Sequence, residues 1–324
     1  MAESNSIVAI SNPRSGRNKR GGFEKFSQLI KEYPEISHIV TSSESELIDA
    51  LRQCENQNIS ILIVNGGDGT LLHVLTFLKS KGHEKFRPLL VLLQSGTTSM
   101  AYGDVGCKGR HSHVLNNVVK YANGDQTCLQ ETPRQVLQML LPKEEKVVCG
   151  MFFGAGVIYN GILYCRQKMH TKGIRGEVGP SVTMIRYLLD WMTTNKLTTS
   201  SHANIRLDNG KLVSGEFAVI TATTLHRLLA GVFPFWGTVK SQACFSLTII
   251  KKNAPRAFGA FTKILRKQAP MVENKPNYYQ SDCPEKAIID IKDGFTMDGE
   301  LFGADGITTQ VVLSAAGEVK FLTT

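Results

Sequence analysis

The chain has 324 residues, of which 42% are hydrophobic and 20% charged, and its formal net charge is +9 at pH 7. This length and composition predict a soluble globular protein with two domains and exclude a chain too small to bury a core. No apolar run approaches the ~20 residues of a membrane span, and no basic cluster opens the chain. We therefore expect a cytoplasmic protein without a signal peptide or a membrane anchor.

The excess of positive charge favours anionic partners such as nucleotide phosphates, an acidic lipid surface or nucleic acid. Nucleic acid is the weaker candidate, because the sequence has no zinc-finger spacing, RNA-binding aromatic motif or basic helix with heptads. We therefore expect no nucleic-acid partner.

The seven cysteines are an odd number, widely spaced and without a Cys-x-x-Cys pair. This usage is typical of reduced thiols, most of which fill the core of a cytoplasmic protein.

The first predicted strands end in polar residues. Residues 7–10 form a short apolar strand that runs into a loop punctuated by Pro and Gly, and this loop contains Asn12. After a helix, residues 37–40 form the next strand, and Thr41 follows directly. Thr41 therefore stands at the carboxyl edge of the predicted sheet, where open α/β sheets bind their ligands.

The most informative stretch is residues 61–78, which read ILIVNGGDGTLLHVLTFL. Its aliphatic start predicts a strand buried on both faces, as in a parallel sheet. Gly66, Gly67 and Gly69 then give a turn without side-chain bulk, and Thr70 opens an apolar helix. Free backbone N–H groups and the positive end of this helix point at the space above the turn, which predicts a phosphate site.

Asp68 lies within this turn, where a carboxylate would repel a phosphate. The conflict disappears if a divalent cation lies between them, or if Asp68 interacts with a hydroxyl that is to be phosphorylated. In a simpler interpretation, Asp68 caps the helix and the glycines only make a tight turn. The order Gly-Gly-Asp-Gly-Thr directly after a buried strand favours the phosphate site.

A further buried strand, residues 89–93, delivers the small hydroxylated residues 95–99 to the same edge. These residues line a phosphate or ribose, or form an ordinary turn. One more helix follows, over residues 114–121. Four strand–helix steps with short connections predict a parallel, doubly wound α/β sheet.

After residue 127 the apolar periodicity changes from about 3.6 to mostly two. We therefore place a domain boundary near residue 141, with a nucleotide-binding α/β domain over 1–141 and a β-rich, largely antiparallel domain over 142–316. A hairpin over 136–153 opens the second domain. Its further strand candidates are residues 203–207, 217–223, 245–250, 287–291 and 309–313.

Three apolar segments interrupt these strands, at residues 157–163, 181–195 and 225–236. The simpler interpretation places all three in the core. Any of them that is exposed would suit a lipid tail or a membrane surface, with the basic stretch at 166–175 meeting headgroups.

Four motifs in order resemble the lipid kinases of the diacylglycerol and sphingosine kinase group. The loop at Asn12 resembles the family's Asn-Pro-x-Ser/Ala-Gly loop, and residues 66–70 resemble its nucleotide loop, which NAD kinases share. Residues 95–97 resemble its second Gly-Thr segment. Late in the chain, residues 298–300 resemble its catalytic Asp-Gly-Glu segment. The resemblance covers nearly the whole chain.

The resemblance implies a fold and an activity. The family has an N-terminal, Rossmann-like α/β domain, a C-terminal β-sandwich, ATP in the cleft between them, and a final strand returning to the first domain, here about residues 317–324. It implies an ATP- and Mg²⁺-dependent kinase that phosphorylates a hydroxyl of diacylglycerol or a related lipid. Because such a substrate lies in a bilayer, reversible binding to an anionic membrane surface follows. A homodimer is left open.

The resemblance also implies two sets of site residues. Glu300 would be the general base that accepts the proton of the lipid hydroxyl, and Asp298 would support the Glu300 turn or bind metal. Without the family, residues 298–299 predict only a hairpin turn with Glu300 exposed. Asp68 would also hold Mg²⁺. The residues that would hold ATP are Asn12, Thr41, Gly66, Gly67, Asp68, Gly69, Thr70 and Thr97.

The chain departs from the family at two places. Residues 96–100 lack the Asn-Asp pair of the family's Gly-Thr-x-Asn-Asp segment, so base or ribose contacts are not carried over. Residues 243–247 replace an Asp-Gly-x-Leu segment that helps hold a structural magnesium, so that second metal site is expected to be absent. Two other functions stay open, an NAD kinase-like enzyme and a catalytically weak nucleotide- or lipid-binding protein.

Overall fold

The computed structural model describes residues 6–96, 100–171, 200–228, 233–239, 241, 243–254, 263, 278–303 and 306–324, without the side chains of 168–171. The chain divides into two compact units. The first ends at Val136 and resumes over Glu318–Thr324, and the second is Leu137–Gly317. Thr97 and the helix predicted over 181–195 lie outside the described residues.

The first unit alternates strands with helices, as the periodicity predicts. Its described elements are β1 (Ile7–Ser11), α1 (Gly22–Leu29), β2 (Ile36–Val40), α2 (Glu44–Asn56), β3 (Ile61–Asn65), α3 (Asp68–Leu78), β4 (Leu89–Leu92), α4 (Met100–Val105) and α5 (His111–Ala122). The end of the last strand, β15 (Thr309–Thr323), also belongs to it.

The strands of this unit form a parallel sheet in the order β2-β1-β3-β4-β15. Ile7 stands opposite both Ile36 and Ile61, so the first three strands begin level with one another. In β15, Phe321 stands opposite Leu90 of β4. The predicted parallel α/β architecture is therefore confirmed.

Helices cover both faces of this sheet because its strands are apolar on both sides. Phe26 of α1 and Val118 of α5 pack with Ala9 and Ile63 in one buried cluster. Alternate strand residues such as Leu62 point to the opposite face, where α2 packs against α3 and β1. The sheet is thus doubly wound.

The second unit is rich in strands. Its described elements are β5 (Gln130–Leu141, which begins in the first unit), β6 (Lys146–Gly150), β7 (Phe152–Gly156), α6 (Val157–Thr171), β8 (Ser201–Leu207), β9 (Leu212–Thr223), β10 (Ser246–Lys251), β11 (Tyr279–Asp282), β12 (Lys286–Ile291), β13 (Phe295–Met297), β14 (Glu300–Phe302) and the start of β15.

The strands of the second unit pair in the order β14-β13-β7-β9-β8-β12-β15. The pairings along this path are antiparallel. The long strand β9 also pairs with β10, which pairs with β11. The predicted strand-rich second half is therefore confirmed.

The apolar segment predicted at 157–163 forms the start of α6, which packs against β7, β9 and β13. Val157, Tyr159 and Cys165 are buried there, whereas Tyr164 is exposed. Among the described residues, no helix combines the length and the hydropathy that crossing a membrane requires.

The prediction that all cysteines are reduced is wrong for one pair, because Cys244 and Cys283 form a disulfide. The antiparallel pairing of β10 with β11 sets Leu247 opposite Asp282, and the two cysteines follow just beyond these positions with Cα atoms 5.3 Å apart. A separation of 39 residues hides this proximity in the sequence. The other five cysteines, Cys54, Cys107, Cys128, Cys149 and Cys165, form no disulfide.

Candidate active site

The order of the parallel strands reverses between β1 and β3. Chain connections leave the sheet in opposite directions there, so the loops after these two strands open a crevice at their carboxyl ends. The loop after β1 begins with Asn12, and the loop after β3 is Gly66-Gly67. The two glycine-containing motifs that suggested a phosphate site thus flank the point where sheets of this kind bind ligands.

A buried polar network holds the strand ends around this crevice. The Asn65 side-chain amide donates to Ser11 Oγ at 3.0 Å, and Asn18 Nδ2 donates to the Asn65 carbonyl at 3.1 Å. Ser95 Oγ donates to Asn65 Oδ1. All four residues are buried, so breaking one bond would leave a desolvated polar group without its partner. The sequence did not single out Asn18 or Asn65 as site residues, whereas Ser95 belongs to the segment that it placed at this edge. A polar residue at the end of an apolar strand is a usable signal for Asn65, which ends β3.

His38 extends this network to β2. Its Nε2 lies 2.8 Å from Ser11 Oγ, and burial lowers the pKa of His38, so the ring is mostly neutral at pH 7. Thr41 follows β2 and is buried, and its backbone N–H donates to the Ser11 carbonyl at 2.9 Å. The predicted site residue Thr41 therefore lies at the same sheet edge, next to β1.

Asn12 joins the two loops directly. Its Nδ2 donates to Thr70 Oγ1 at 3.1 Å, and its backbone N–H donates to the Asn65 carbonyl at 3.0 Å. The remaining side-chain oxygen, Oδ1, accepts from the Arg14 N–H at 2.8 Å. Two polar groups of Asn12 thus hold the loop after β1 against the end of β3 and the start of α3, and two of the predicted nucleotide residues, Asn12 and Thr70, are in contact.

The two glycines of the loop serve different needs. A Cβ on Gly66 would lie 2.6 Å from the Cβ and Oγ1 of Thr70, which is closer than such atoms approach. A Cβ on Gly67 would meet only the Cα of Gly96, at 3.7 Å. Gly66 is therefore required for packing, whereas Gly67 keeps open a surface that a ligand can approach.

Helix α3 begins two residues earlier than predicted. Gly67 is its N-cap in extended conformation, and the Leu71 N–H donates to the Gly67 carbonyl at 3.1 Å. Asp68, Gly69 and Thr70 thus form the first turn, whose N–H groups have no partner inside the helix. The positive end of an 11-residue helix faces the crevice, as a phosphate site requires.

Asp68 does not cap its own helix, contrary to the simpler interpretation of the sequence, because Gly67 is the N-cap and no side chain caps it. Instead, Asp68 Oδ2 accepts from the Met100 N–H at 3.1 Å, at the start of α4. Burial raises the pKa of Asp68 to about 6, against the opposing effect of the N–H groups of Met100 and Ala101. A partly buried carboxylate of this kind gains from a nearby cation.

In the second unit, Asp298 lies in the tight turn between β13 and β14. Its Oδ2 accepts from the Met151 N–H and its Oδ1 from the Phe152 N–H, both at 2.9 Å. The Asp298 N–H donates to the Phe152 carbonyl at 2.8 Å. Asp298 and Gly299 both have positive φ, 47° and 89°. The carboxylate therefore ties the hairpin to the start of β7.

Glu300 is the first residue of β14 and stands opposite Met297 in the hairpin. Its side chain is 49% exposed, and Oε2 lies 3.8 Å from Nη2 of Arg166. The same Arg166 nitrogen donates to the Gly299 carbonyl at 2.9 Å. A half-exposed carboxylate on a short hairpin can accept a proton from an incoming hydroxyl, and Arg166 keeps the turn before it in place.

In the described part of the chain, a metal ion would have to bind through single carboxylates. No group of three or more His, Cys, Asp or Glu side chains there is arranged to hold an ion. Mg²⁺ commonly binds through one or two carboxylates together with substrate phosphates, so Asp68 alone fits that mode. Asp298 fits it less well, since both of its oxygens already accept backbone hydrogen bonds.

The first unit also matches a known protein family. Residues 6–126 match the family model described as Diacylglycerol kinase catalytic domain. This match contains Asn12, the loop from Gly66 to Thr70, and the buried network around Asn65. Residues 6–126 belong to the diacylglycerol kinase catalytic-domain family. No curated protein matches the chain.

The fold of the whole chain is that of solved bacterial structures. The structure described as "A putative diacylglycerol kinase from Bacillus anthracis str. Sterne" gives a TM-score of 0.65 at 15% identity, over 100% of this chain and 99% of that chain. Two more, described as a putative diacylglycerol kinase and a diacylglycerol kinase of the same strain, give TM-scores of 0.64 and 0.62 at 15% and 16% identity, over 98% of both chains. At such identities the likeness shows the fold alone.

The diacylglycerol kinase catalytic-domain match stops before the hairpin that carries Asp298 and Glu300. For the second unit, the comparisons therefore support the fold but assign no role to the residues of the hairpin. A lipid kinase is the function class that the catalytic domain supports.

Proposed function

We propose that this chain is an ATP- and Mg²⁺-dependent lipid kinase that phosphorylates a hydroxyl of diacylglycerol or a related lipid. The observation that carries the proposal is the Gly66 to Thr70 loop of a diacylglycerol kinase catalytic domain, located at the strand reversal between β1 and β3. ATP supplies the phosphoryl group when bound. Residues 1–141 with 317–324 would bind the nucleotide, and residues 142–316 the lipid.

The nucleotide site would use the loops at the carboxyl edge of the parallel sheet. The backbone N–H groups of Gly66, Gly67 and Gly69 would donate to phosphate oxygens, and Thr70 and Asn12 hold the two loops together through their 3.1 Å hydrogen bond. Thr41 stands at the same edge. Thr97 completes the proposed set but lies outside the described residues.

Asp68 would contribute a carboxylate oxygen to Mg²⁺. Its position at the start of α3 and its raised pKa fit a group that becomes fully ionised when a cation binds. The bound cation would offset the repulsion between Asp68 and phosphate. In this proposal, a metal between the carboxylate and the nucleotide removes the conflict between Asp68 and a phosphate.

Glu300 would act as the general base. Its carboxylate takes the proton from the lipid hydroxyl while the hydroxyl oxygen forms its bond to phosphorus and the bond from phosphorus to the leaving oxygen breaks. Asp298 would act as a positioning residue, because its two hydrogen bonds to backbone N–H groups hold the hairpin that presents Glu300.

The direct test is to incubate purified protein with labelled ATP, Mg²⁺ and either mixed lipids or NAD. We expect label in a phospholipid product and loss of labelling when Mg²⁺ is chelated. Label found only in NADP would overturn the lipid proposal in favour of an NAD kinase-like enzyme. ATP binding by calorimetry with no turnover on any lipid would favour a nucleotide-binding protein of weak catalytic power.

A further inference from the structure

A row of hydroxyl side chains crosses one face of the sheet in the second unit. Thr221 of β9 stands opposite Thr248 of β10, which stands opposite Ser281 of β11. On the other side, Thr221 stands opposite Gly154 of β7, and Gly154 stands opposite Thr296 of β13. Directly paired residues point to the same face of a sheet, so Thr296, Thr221, Thr248 and Ser281 form one line, the hydroxyl row.

Three members of the hydroxyl row have hydrogen-bond partners. Thr296 Oγ1 donates to the Glu300 carbonyl at 2.7 Å, and Thr248 Oγ1 donates to the Pro234 carbonyl at 2.5 Å. Ser281 Oγ accepts from two backbone N–H groups, those of residues 236 and 237, at 3.2 and 3.3 Å. These bonds orient the row, and the one from Thr296 connects it to the hairpin that carries Glu300.

Thr221 is the exception. It is 4% exposed, and its Oγ1 is buried without a hydrogen-bond partner among the described residues. A buried hydroxyl without a partner costs free energy that a methyl group of similar size would avoid. Such a group in the middle of an otherwise satisfied row is explained if a ligand provides its partner.

An apolar row runs beside the hydroxyl row on the same face. Val219, Ile250 and Tyr279 stand opposite one another, each two residues from a member of the hydroxyl row along its strand. They form a buried cluster against which Ile158 of α6 and Trp236 pack, both only partly buried. The face therefore carries a polar line and an apolar line about 7 Å apart, the spacing of alternate strand residues, and Ile158 and Trp236 pack against the apolar line.

We propose that the hydroxyl row and the apolar row bind the acceptor lipid, with Thr221 Oγ1 hydrogen-bonding an uncharged polar group of its head and the apolar row contacting its hydrocarbon chain. Thr221 is the specificity-determining residue of this site. The inference rests on the proposed function, since it names the substrate class of the same enzyme. The hydrogen bond from Thr296 Oγ1 to the Glu300 carbonyl joins the polar line to the strand that presents Glu300.

The polar groups of this face select for an uncharged head. A hydroxyl can donate to an ester or amide carbonyl and can accept from a lipid hydroxyl, whereas a buried headgroup phosphate requires cationic partners. Within the described part of the unit, Asp298 is the only charged side chain that is less than a tenth exposed, and it is acidic. Diacylglycerol and ceramide meet this condition, and phosphatidylglycerol does not.

The test compares Thr221→Val, which keeps the shape and removes the hydroxyl, with Thr221→Ser, which keeps the hydroxyl. Short-chain diacylglycerol, ceramide and phosphatidylglycerol are the acceptors. For the uncharged acceptors, we expect Thr221→Val to raise KM about three- to tenfold with kcat and the KM for ATP unchanged. Thr221→Ser should keep the parent KM within about twofold. The midpoint of thermal unfolding of Thr221→Val should equal or exceed that of the parent, because no hydrogen bond within the protein is lost.

Thr223→Val is the matched control, two residues along the same strand and face. Thr223 Oγ1 donates to the Met151 carbonyl at 2.9 Å and accepts from the Leu225 N–H at 3.0 Å. Its loss should lower the unfolding midpoint and leave the KM for the lipid within about twofold. A Thr221→Val protein that is destabilised like Thr223→Val, with an unchanged KM, would overturn the proposal and assign Thr221 a structural role.

Equilibrium binding of a fluorescent short-chain diacylglycerol separates this inference from the proposed function. If the parent binds the probe several-fold more tightly than Thr221→Val but phosphorylates no lipid, the site stands and the kinase proposal fails. If the parent phosphorylates lipids and Thr221→Val matches it in KM and in probe binding, the kinase proposal stands and the site is wrong. A preference of the parent for phosphatidylglycerol, or no binding and no turnover with any of these lipids, also overturns the site.

Discussion

The carboxylate of Asp298 accepts a hydrogen bond from the backbone N–H of Met151, with Oδ2 and nitrogen 2.9 Å apart. A second bond of the same length joins its Oδ1 to Phe152. Both lie in a buried region, since Asp298 is 8% exposed. The two carboxylates of the Asp-Gly-Glu segment therefore have different surroundings. The Asp298 carboxylate binds backbone N–H groups inside the protein, whereas the Glu300 carboxylate is half-exposed to solvent.

We expect Asp298→Asn to lower the free energy of unfolding by about 1–3 kcal/mol, because an amide nitrogen would face one of the two backbone N–H donors. Urea unfolding measures this effect. Asp293→Asn is the control, since Asp293 accepts a single backbone bond, from His202 at an exposed position, and should change stability far less. Equal losses in both variants would contradict a special role for the Asp298 contacts.

Substitutions of the two glycines in the loop after β3 should have different effects, one on stability and the other on ATP binding. Gly66→Ala places a Cβ 2.6 Å from Thr70 atoms, and such overpacking costs about 1–3 kcal/mol of stability. Gly67→Ala has room and should leave the unfolding midpoint nearly unchanged while weakening ATP binding. Thermal unfolding and calorimetric titration with ATP are the two measurements. Normal ATP affinity in Gly67→Ala would argue against close approach of phosphate at that residue.

The raised pKa of Asp68 predicts a pH-dependent stability. In the folded state Asp68 holds its proton up to about pH 6, whereas in the unfolded state it releases it near the ordinary aspartate pKa of 3.8. Its contribution is therefore most favourable below pH 3.8 and is lost as the pH rises through 6. At pH 8 we expect Asp68→Asn to be more stable than the parent by roughly 1–3 kcal/mol, at about 1.4 kcal/mol per pKa unit.

Urea unfolding of both proteins at pH 5 and pH 8 tests this expectation, and the stability difference should be larger at pH 8. The same variant should bind ATP more weakly in the presence of Mg²⁺. A stability difference that does not change with pH would show that Asp68 keeps an ordinary pKa.

Loss of the proposed base should leave nucleotide binding intact. We expect Glu300→Gln to bind ATP like the parent and to lose roughly 10²–10⁴ in turnover, because it removes the proton acceptor and little else. Turnover and ATP affinity are measured separately, with Asp68→Asn as the comparison. If Glu300→Gln retains turnover within a few-fold, Glu300 is not the base and Asp68 becomes the leading candidate.

Membrane binding should depend on the basic stretch 166–175, of which Arg166 has a half-exposed side chain. We expect the paired variant Lys172→Gln and Arg175→Gln to bind anionic vesicles about tenfold or more weakly, at about 1 kcal/mol for each basic residue near the surface. Lys25→Gln with Lys31→Gln removes the same charge from exposed helical positions of the first unit. Sedimentation with neutral and anionic vesicles measures the binding. Equal binding of the parent to both kinds of vesicle would contradict an electrostatic contribution from the basic stretch.

The positions of most helices and strands, and the α/β class of the first unit, follow from local sequence patterns. Local periodicity predicts a strand wherever β-branched residues alternate or run together, and the strand at 61–64, the glycine loop and the helix after it were read directly from neighbouring residues. The parallel class followed because each strand was separated from the next by a helix. The Asn12 loop and the Gly66 loop could be assigned to one edge for the same reason.

The contacts between side chains that are distant in the sequence became visible only in the folded chain. The network of Asn18, Asn65 and Ser95 joins residues 30 and 47 positions apart, and the disulfide joins residues 39 apart. The hydroxyl row exists only because the register of five strands brings Thr221 level with its neighbours. These contacts depend on long-range strand pairing. Because a one-residue shift in register would turn every side chain of a strand to the other face, the local sequence pattern does not specify which residues become neighbours.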